Sequence, residues 1–150
     1  MGDVLRERAL RMLGRRDYAR LELAQKLAPH APSTEHLQAL LDDLTASGLL
    51  SDERYALARV NARAGRVGDA QLVHELRSKG VAAELVSAAL ATGEDELARA
   101  CRVWQRRFAR QPGAVADDAV ARSRQMRFLA GRGFSAETIR RVLRGDFEND

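Results

Sequence analysis

The sequence predicts an all-α protein of three tandem three-helix repeats forming an elongated, curved body. Three observations predict it. Strand-type alternation is absent, alanine and arginine are frequent while aromatics make up only 5%, and Gly or Pro breaks recur at helical distances.

The breaks fall at Gly14–Asp17, Pro29–Pro32, Ser47-Gly48, Ala64–Gly68, Gly80, Thr92-Gly93, Gln111–Gly113 and Gly131–Gly133. Between them, apolar spacing predicts helices near 3–13, 18–27, 34–46, 52–64, 69–79, 83–91, 94–110, 117–131 and 135–144. These form three groups, 1–50, 51–92 and 93–150, the last with an acidic tail.

An internal echo supports the grouping. Leu76, Gly80, Val81, Glu84, Val86 and Leu90 recur as Leu129, Gly133, Phe134, Glu137, Ile139 and Leu143, at a constant offset of 53. Each glycine is placed just past a helix end, where a left-handed backbone suits glycine. The following apolar residue can then staple the next helix: Phe134 to Ile139 with Ser135 as N-cap, and Val81 to Val86 with a poorer cap at Ala82. Leu23 and Leu27 match Leu72 and Leu76 at an offset of 49, so the first copy is looser. Stacked small repeats make long binding surfaces. Nine helices about 9–10 Å apart would extend to roughly 80 Å.

Bulk properties narrow the function. An apolar share of 45% over 150 residues supports a core without metals or disulfides. The single cysteine, Cys101, cannot bridge internally and suits a reducing compartment. No apolar run approaches the roughly 20 residues of a membrane helix, and the Met1–Arg6 start turns polar at once, so a cytoplasmic protein is expected. Residues 93–145 carry twelve arginines against six acids, the largest local imbalance in the chain. Such a surplus suits an acidic protein surface or nucleic acid. A coding bias toward arginine would write the same surplus, since only Lys26 and Lys79 are lysines.

Catalytic chemistry is not expected. No phosphate-binding glycine loop is present. His30, His36 and His74 lack the partners of a zinc site, and His74-Glu75 has no second histidine at helical spacing. Cys101 reads as a small core residue. The neighbouring pairs Asp42-Asp43 and Asp117-Asp118 point in different directions on a helix, so neither pair can share a site. No cofactor or metal is called for.

Gly80 with Val86 and Ala89, and Gly133 with Ile139 and Val142, also fit helix-turn-helix spacing. A recognition helix must offer base-reading side chains. Residues 84–90 offer no Arg, Lys, Asn or Gln, whereas the last copy has Arg140, Arg141 and Arg144. A DNA-binding protein with tandem helix-turn-helix-like units is therefore the alternative reading.

Three segments resemble the RecX regulators of the bacterial recombinase RecA. They are Gly48-Leu49-Leu50-Ser51-Asp52-Glu53-Arg54-Tyr55-Ala56 with Val60 and Arg63, then Gly68, Leu72, Glu75, Leu76, Lys79, Gly80 and Val81, and last Arg127-Phe128-Leu129, Arg132, Gly133, Phe134, Ile139 and Val142-Leu143. Leu13, Arg16, Tyr18, Glu22 and Leu23 match more loosely, and the resemblance spans about residues 9–144. Ser51 stands where that family has an acidic residue, and 111–121 match poorly.

The resemblance implies a non-enzymatic helical inhibitor that binds the RecA–DNA filament groove. It implies restraint of the recombinase's ATPase, strand-exchange and coprotease activities, and so of recombination, repair and the SOS response. The partner expected is the RecA filament on single-stranded DNA, with weak direct DNA contact, no membrane, and a monomeric regulator. The candidate contacts are Arg122, Arg124, Arg127, Arg132, Arg140, Arg141 and Arg144, backed by Arg54, Arg59, Arg63, Arg66, Arg77 and Lys79. About half of such positions are expected to contribute little.

Overall fold

The computed structural model describes residues 3–110 and 119–145. Its described residues form nine α-helices. They are α1 (Val4–Leu13), α2 (Arg20–Leu27), α3 (Thr34–Ala46), α4 (Asp52–Arg63), α5 (Asp69–Ser78), α6 (Ala83–Ala91), α7 (Glu96–Phe108), α8 (Ala119–Gly131) and α9 (Ala136–Arg144). A short 3-10 turn, Ala28–His30, occupies the expected proline break. The all-helical repeat reading holds. The predicted break at 111–113, Asp117-Asp118 and the acidic tail 146–150 lie outside the described residues.

Helix starts follow from short polar side chains that accept the free N–H groups of a first turn. Asp3 Oδ1 accepts from Leu5 and Arg6, Ser33 from His36, Asp95 from Ala98 and Ser135 from Thr138. Ser51 Oγ accepts the Arg54 N–H at 3.1 Å, so the serine that departs from the family pattern keeps the capping role an acid would fill.

Among the described residues, those up to 59 together with 76–89 pack as one compact unit, and 60–75 together with those from 90 onward as another. The first is built on α1–α3, with Leu5, Leu23, Leu27, Leu40, Leu41 and Leu44 at its centre. The second is built on α7–α9, around Leu97, Ala100, Val103, Leu129, Phe134 and Ile139. The boundary cuts through α4 and α5, and side-chain bonds explain why. Asp52 and Arg54 at the start of α4 serve the first unit: Asp52 Oδ1 accepts the Arg20 N–H at 2.7 Å, and Arg54 bonds Asp17 and the Gly48 and Leu49 carbonyls. Arg63 at its end serves the second, in a two-pronged bond to Glu75 at 2.6 and 3.1 Å.

Within the second unit, the turn after α8 is joined to the start of α5. Gly68 N–H donates to the Arg132 carbonyl at 2.7 Å and Ala70 N–H to that of Gly133 at 3.3 Å. A Cβ on Gly68 would overlap the Gly133 carbonyl, so the backbones meet where only glycine fits. Beside this joint, Arg99 is buried at 3% exposure. Its guanidinium donates to the Ala64 and Val67 carbonyls and to Asp69, which satisfies a charge otherwise costly to bury.

Candidate functional site

The structure divides the expected contact arginines into two kinds. In the first unit, Arg54 is bound to Asp17, Arg77 donates to the Val81 carbonyl at 2.9 Å, and Lys79 lies 3.6 Å from Glu22. In the second, Arg63 is paired with Glu75, and Arg132 donates to the Arg66 carbonyl at 3.2 Å. Arg144 also has an internal interaction. The first five of these brace the fold, and Arg144 is engaged as well.

The other seven differ. Arg59, Arg66, Arg122, Arg124, Arg127 and Arg140 are exposed and make no ion pair with a described residue; Arg141 is half-buried near Cys101. Arg122, Arg124 and Arg127 share α8, and Arg140 and Arg144 stand one turn apart on α9. Their helices pack on each other, so the second unit gathers much of the surplus charge.

Sequence reasoning missed Arg106 and Arg107. With Arg66 and Arg132 they line a cleft of about 420 Å³ in the second unit, floored by Val103 and Phe128. No carboxylate lies among its described lining residues. Arg106 donates to the Gly65 carbonyl, as Arg132 does to that of Arg66. The Arg107 and Arg132 guanidiniums lie 5.5 and 4.9 Å from the centre of the Phe128 ring, within cation–π range. Phe128 stands edge-on to Phe108 at 5.3 Å. The available signal was an aromatic directly after arginine, in Arg106-Arg107-Phe108 and Arg127-Phe128.

A cleft of similar size in the first unit shows the contrast. Its cations are balanced: Arg20 bonds Asp42 at 2.8 Å and Arg54 bonds Asp17 at 2.7 Å.

Cys101 is a buried, free thiol. Burial, with Asp95 nearby, pushes the Cys101 thiol up to about 11, against the pull of Arg141, so it stays protonated at neutral pH. No group of three potential metal ligands occurs among the described residues, nor does any described helix have the length and apolarity to cross a membrane.

The described features define the class, an all-helical repeat protein with a strongly cationic second unit. Comparison with known proteins gives the family. A family model for the second three-helix domain of RecX matches residues 51–90, and one for the third matches 94–143. The regulatory protein RecX of Leptothrix cholodnii is 47% identical over 148 residues, covering 97% of this chain and 92% of that protein. That of Chromobacterium violaceum is 42% identical, covering 99% of this chain and 95% of that protein. The crystal structure of RecX from Lactobacillus salivarius superposes with a TM-score of 0.77 at 18% identity, covering 94% of this chain and 93% of that one, which shows the shared fold. The chain belongs to the RecX family, a family of regulatory proteins.

Proposed function

We propose that this chain is a non-enzymatic, cytoplasmic inhibitor of the RecA recombinase. It binds the RecA filament on single-stranded DNA and lowers ATPase, strand-exchange and coprotease activity, thereby restraining homologous recombination, DNA repair and the SOS response. Family membership over nearly the whole chain carries this reading. The arrangement 1–50, 51–92 and 93–150 is proposed as its three-repeat layout, supported by the family matches at 51–90 and 94–143. Several weak contacts on one chain add through effective concentration, so a monomer suffices.

Arg59, Arg66, Arg122, Arg124, Arg127 and Arg140 are the proposed outer contacts. Arg132, Arg141 and Arg144 are proposed with them, as are Arg54, Arg63, Arg77 and Lys79, which also brace the fold. The deciding experiment titrates the purified protein into RecA turning over ATP on single-stranded DNA. Inhibition at or below stoichiometric ratio is expected; unchanged turnover at several-fold excess refutes the reading.

The alternative, tandem helix-turn-helix-like DNA recognition, is favoured by one observation: exposed Arg140 and Arg144 follow the turn glycine of α9. In α6 the exposed positions are Ala83, Glu84, Ser87, Ala88 and Ala91, a poor set for reading bases. Sequence-specific duplex binding without effect on the recombinase would favour it.

A further inference from the structure

We propose that the cleft formed by Arg66, Arg106, Arg107 and Arg132 is a binding site for the phosphodiester backbone of single-stranded nucleic acid. The inference deepens the proposed function by giving a direct nucleic-acid contact a defined place, and it rests on that reading for its biological role.

Charge supplies the first argument. Four guanidiniums line one cleft, and no carboxylate lies among its described lining residues. Like charges held together repel, and an anion between them reverses the sign of the interaction. The described acids of the same unit are engaged elsewhere: Asp69 with Arg99, Glu75 with Arg63, Glu94 with Arg102, Asp95 in capping α7, and Glu96 with the Ser135 N–H. Exposed Glu137 does not line the cleft.

Preorganisation supplies the second. Arg106 and Arg132 are held by the Gly65 and Arg66 carbonyls, and Arg107 and Arg132 lie by the Phe128 ring. Side chains already fixed lose less freedom on binding, and guanidinium forks match phosphate oxygens in two-pronged bonds.

The same bonds select the occupant. The Gly65 and Arg66 carbonyls, which an extended peptide would use, already accept from arginines. The apolar lining consists of Val103, which is buried, and Phe128, which is half-buried with guanidiniums close to its ring. That leaves a poor pocket for a peptide side chain or a stacked base. What the cleft offers is donors for a regularly spaced anion, whatever its bases.

The test is fluorescence anisotropy on the full chain with a labelled oligothymidylate and no recombinase present. The Arg66→Gln, Arg107→Gln double variant removes two charges while leaving the two anchored arginines in place. Its affinity should fall about tenfold or more at low salt, and its log–log salt slope should lessen by about 1.4, the value for two phosphate contacts on a single strand. An Arg11→Gln, Arg15→Gln control, at two exposed positions outside the proposed contacts, loses the same net charge and should weaken binding less than about threefold, with circular dichroism unchanged in both. An abasic strand should bind about as well as the parent, and a methylphosphonate strand should bind poorly.

Equal losses in the two double variants would overturn the site, reducing it to diffuse attraction. Competition by oligoglutamate of matched charge as effective as by oligothymidylate would overturn the choice of occupant in favour of an acidic peptide. Because no recombinase is present, these outcomes are independent of the ATPase titration. A chain that inhibits the recombinase yet shows equal losses keeps its proposed function and loses this site.

Discussion

The turns from α5 to α6 and from α8 to α9 are copies at the level of the backbone and opposites in their surroundings. In both, the residue after glycine donates back to a leucine carbonyl, Val81 to Leu76 at 3.1 Å and Phe134 to Leu129 at 3.2 Å. In both, the glycine itself donates to the residue three before it, and its φ is 79° at Gly80 and 89° at Gly133. The stapled pairs Val81–Val86 and Phe134–Ile139 are buried. Beyond this shared Schellman geometry the resemblance stops. A Cβ on Gly80 would meet the side chain of Leu21, itself half out in solvent, at 2.9 Å. A Cβ on Gly133 would meet the Gln71 Cβ at 2.6 Å and its backbone nitrogen at 2.8 Å. Sequence repeats the turn; packing decides what each turn must tolerate.

The largest effect expected from breaking this comparison is therefore an asymmetry between two identical substitutions. Gly80→Ala should cost about 1–2 kcal/mol, the left-handed penalty plus a side-chain adjustment at Leu21. Gly133→Ala should cost about 3 kcal/mol or more, because the obstacle is backbone and cannot rotate away. Urea unfolding of the two variants measures the difference. Equal losses would show that the Gln71 contact yields freely.

Next in size is an ion cluster beside the first turn. Glu22 is nearly buried and accepts both Arg16 prongs at 3.1 and 3.2 Å, with Lys79 at 3.6 Å. Burial pushes its pKa up, but the Arg16 bonds and charge, with Lys79, more than offset this and hold it below the ordinary value. A lowered folded pKa stabilises the protein above the ordinary glutamate range, and that contribution is lost as pH falls through the folded value. Glu22→Ala should destabilise by about 1–3 kcal/mol at neutral pH, mainly by leaving two cations unpaired. The gap between parent and variant should narrow on acidification, as thermal melts across pH would show.

Much of this was legible in the sequence, and the reason is physical. Helices, caps and Schellman turns depend on residues within six positions of one another, so Gly80, Gly133 and Ser135 could be assigned from spacing alone. The arginine roles could not. Arg54 reaches Asp17 across 37 positions and Arg132 reaches the Arg66 carbonyl across 66, so nothing local distinguishes a bracing arginine from an outward one. Arg106 and Arg107 gain importance only because Gly65, Arg66 and Phe128 are folded against them. The two-unit packing was hidden for the same reason, since α4 divides its loyalties by side-chain bonds at its two ends.

A smaller test concerns the caps, where the two copies differ by one hydroxyl. Ser135 Oγ accepts the Thr138 N–H at 3.2 Å, while Ala82 can offer no side-chain acceptor at the start of α6. Ser135→Ala should lose about 1 kcal/mol, and Ala82→Ser should gain about 0.5–1 kcal/mol. If Ala82→Ser brings nothing, α6 gains its first-turn order from burial of Val81 and Val86 alone.

The smallest expected effect carries the opposite pH sign from Glu22 and so sharpens the comparison most. Glu96 on α7 accepts the backbone N–H of Ser135 at 2.7 Å, at the entry to α9. Burial raises its pKa, with Asp69 adding to the rise; the Ser135 N–H and Arg99 oppose it without cancelling it. A raised folded pKa favours the protonated form in the fold. The associated stability is fully present below the ordinary glutamate value of 4.5 and declines as pH rises toward the folded value. Glu96→Gln keeps an oxygen acceptor for Ser135 and removes the charge that burial disfavours. At neutral pH the variant should match or exceed the parent by about 0.5 kcal/mol. Below the ordinary glutamate range that advantage should vanish, because the parent is then neutral as well. Melting curves across pH for the Glu22 and Glu96 variants should thus converge on the parent from opposite sides as acid is added. If Glu96→Gln instead destabilises at neutral pH and recovers in acid, the ionised carboxylate is the favoured partner of Ser135, and the Arg99 and Ser135 contributions outweigh burial.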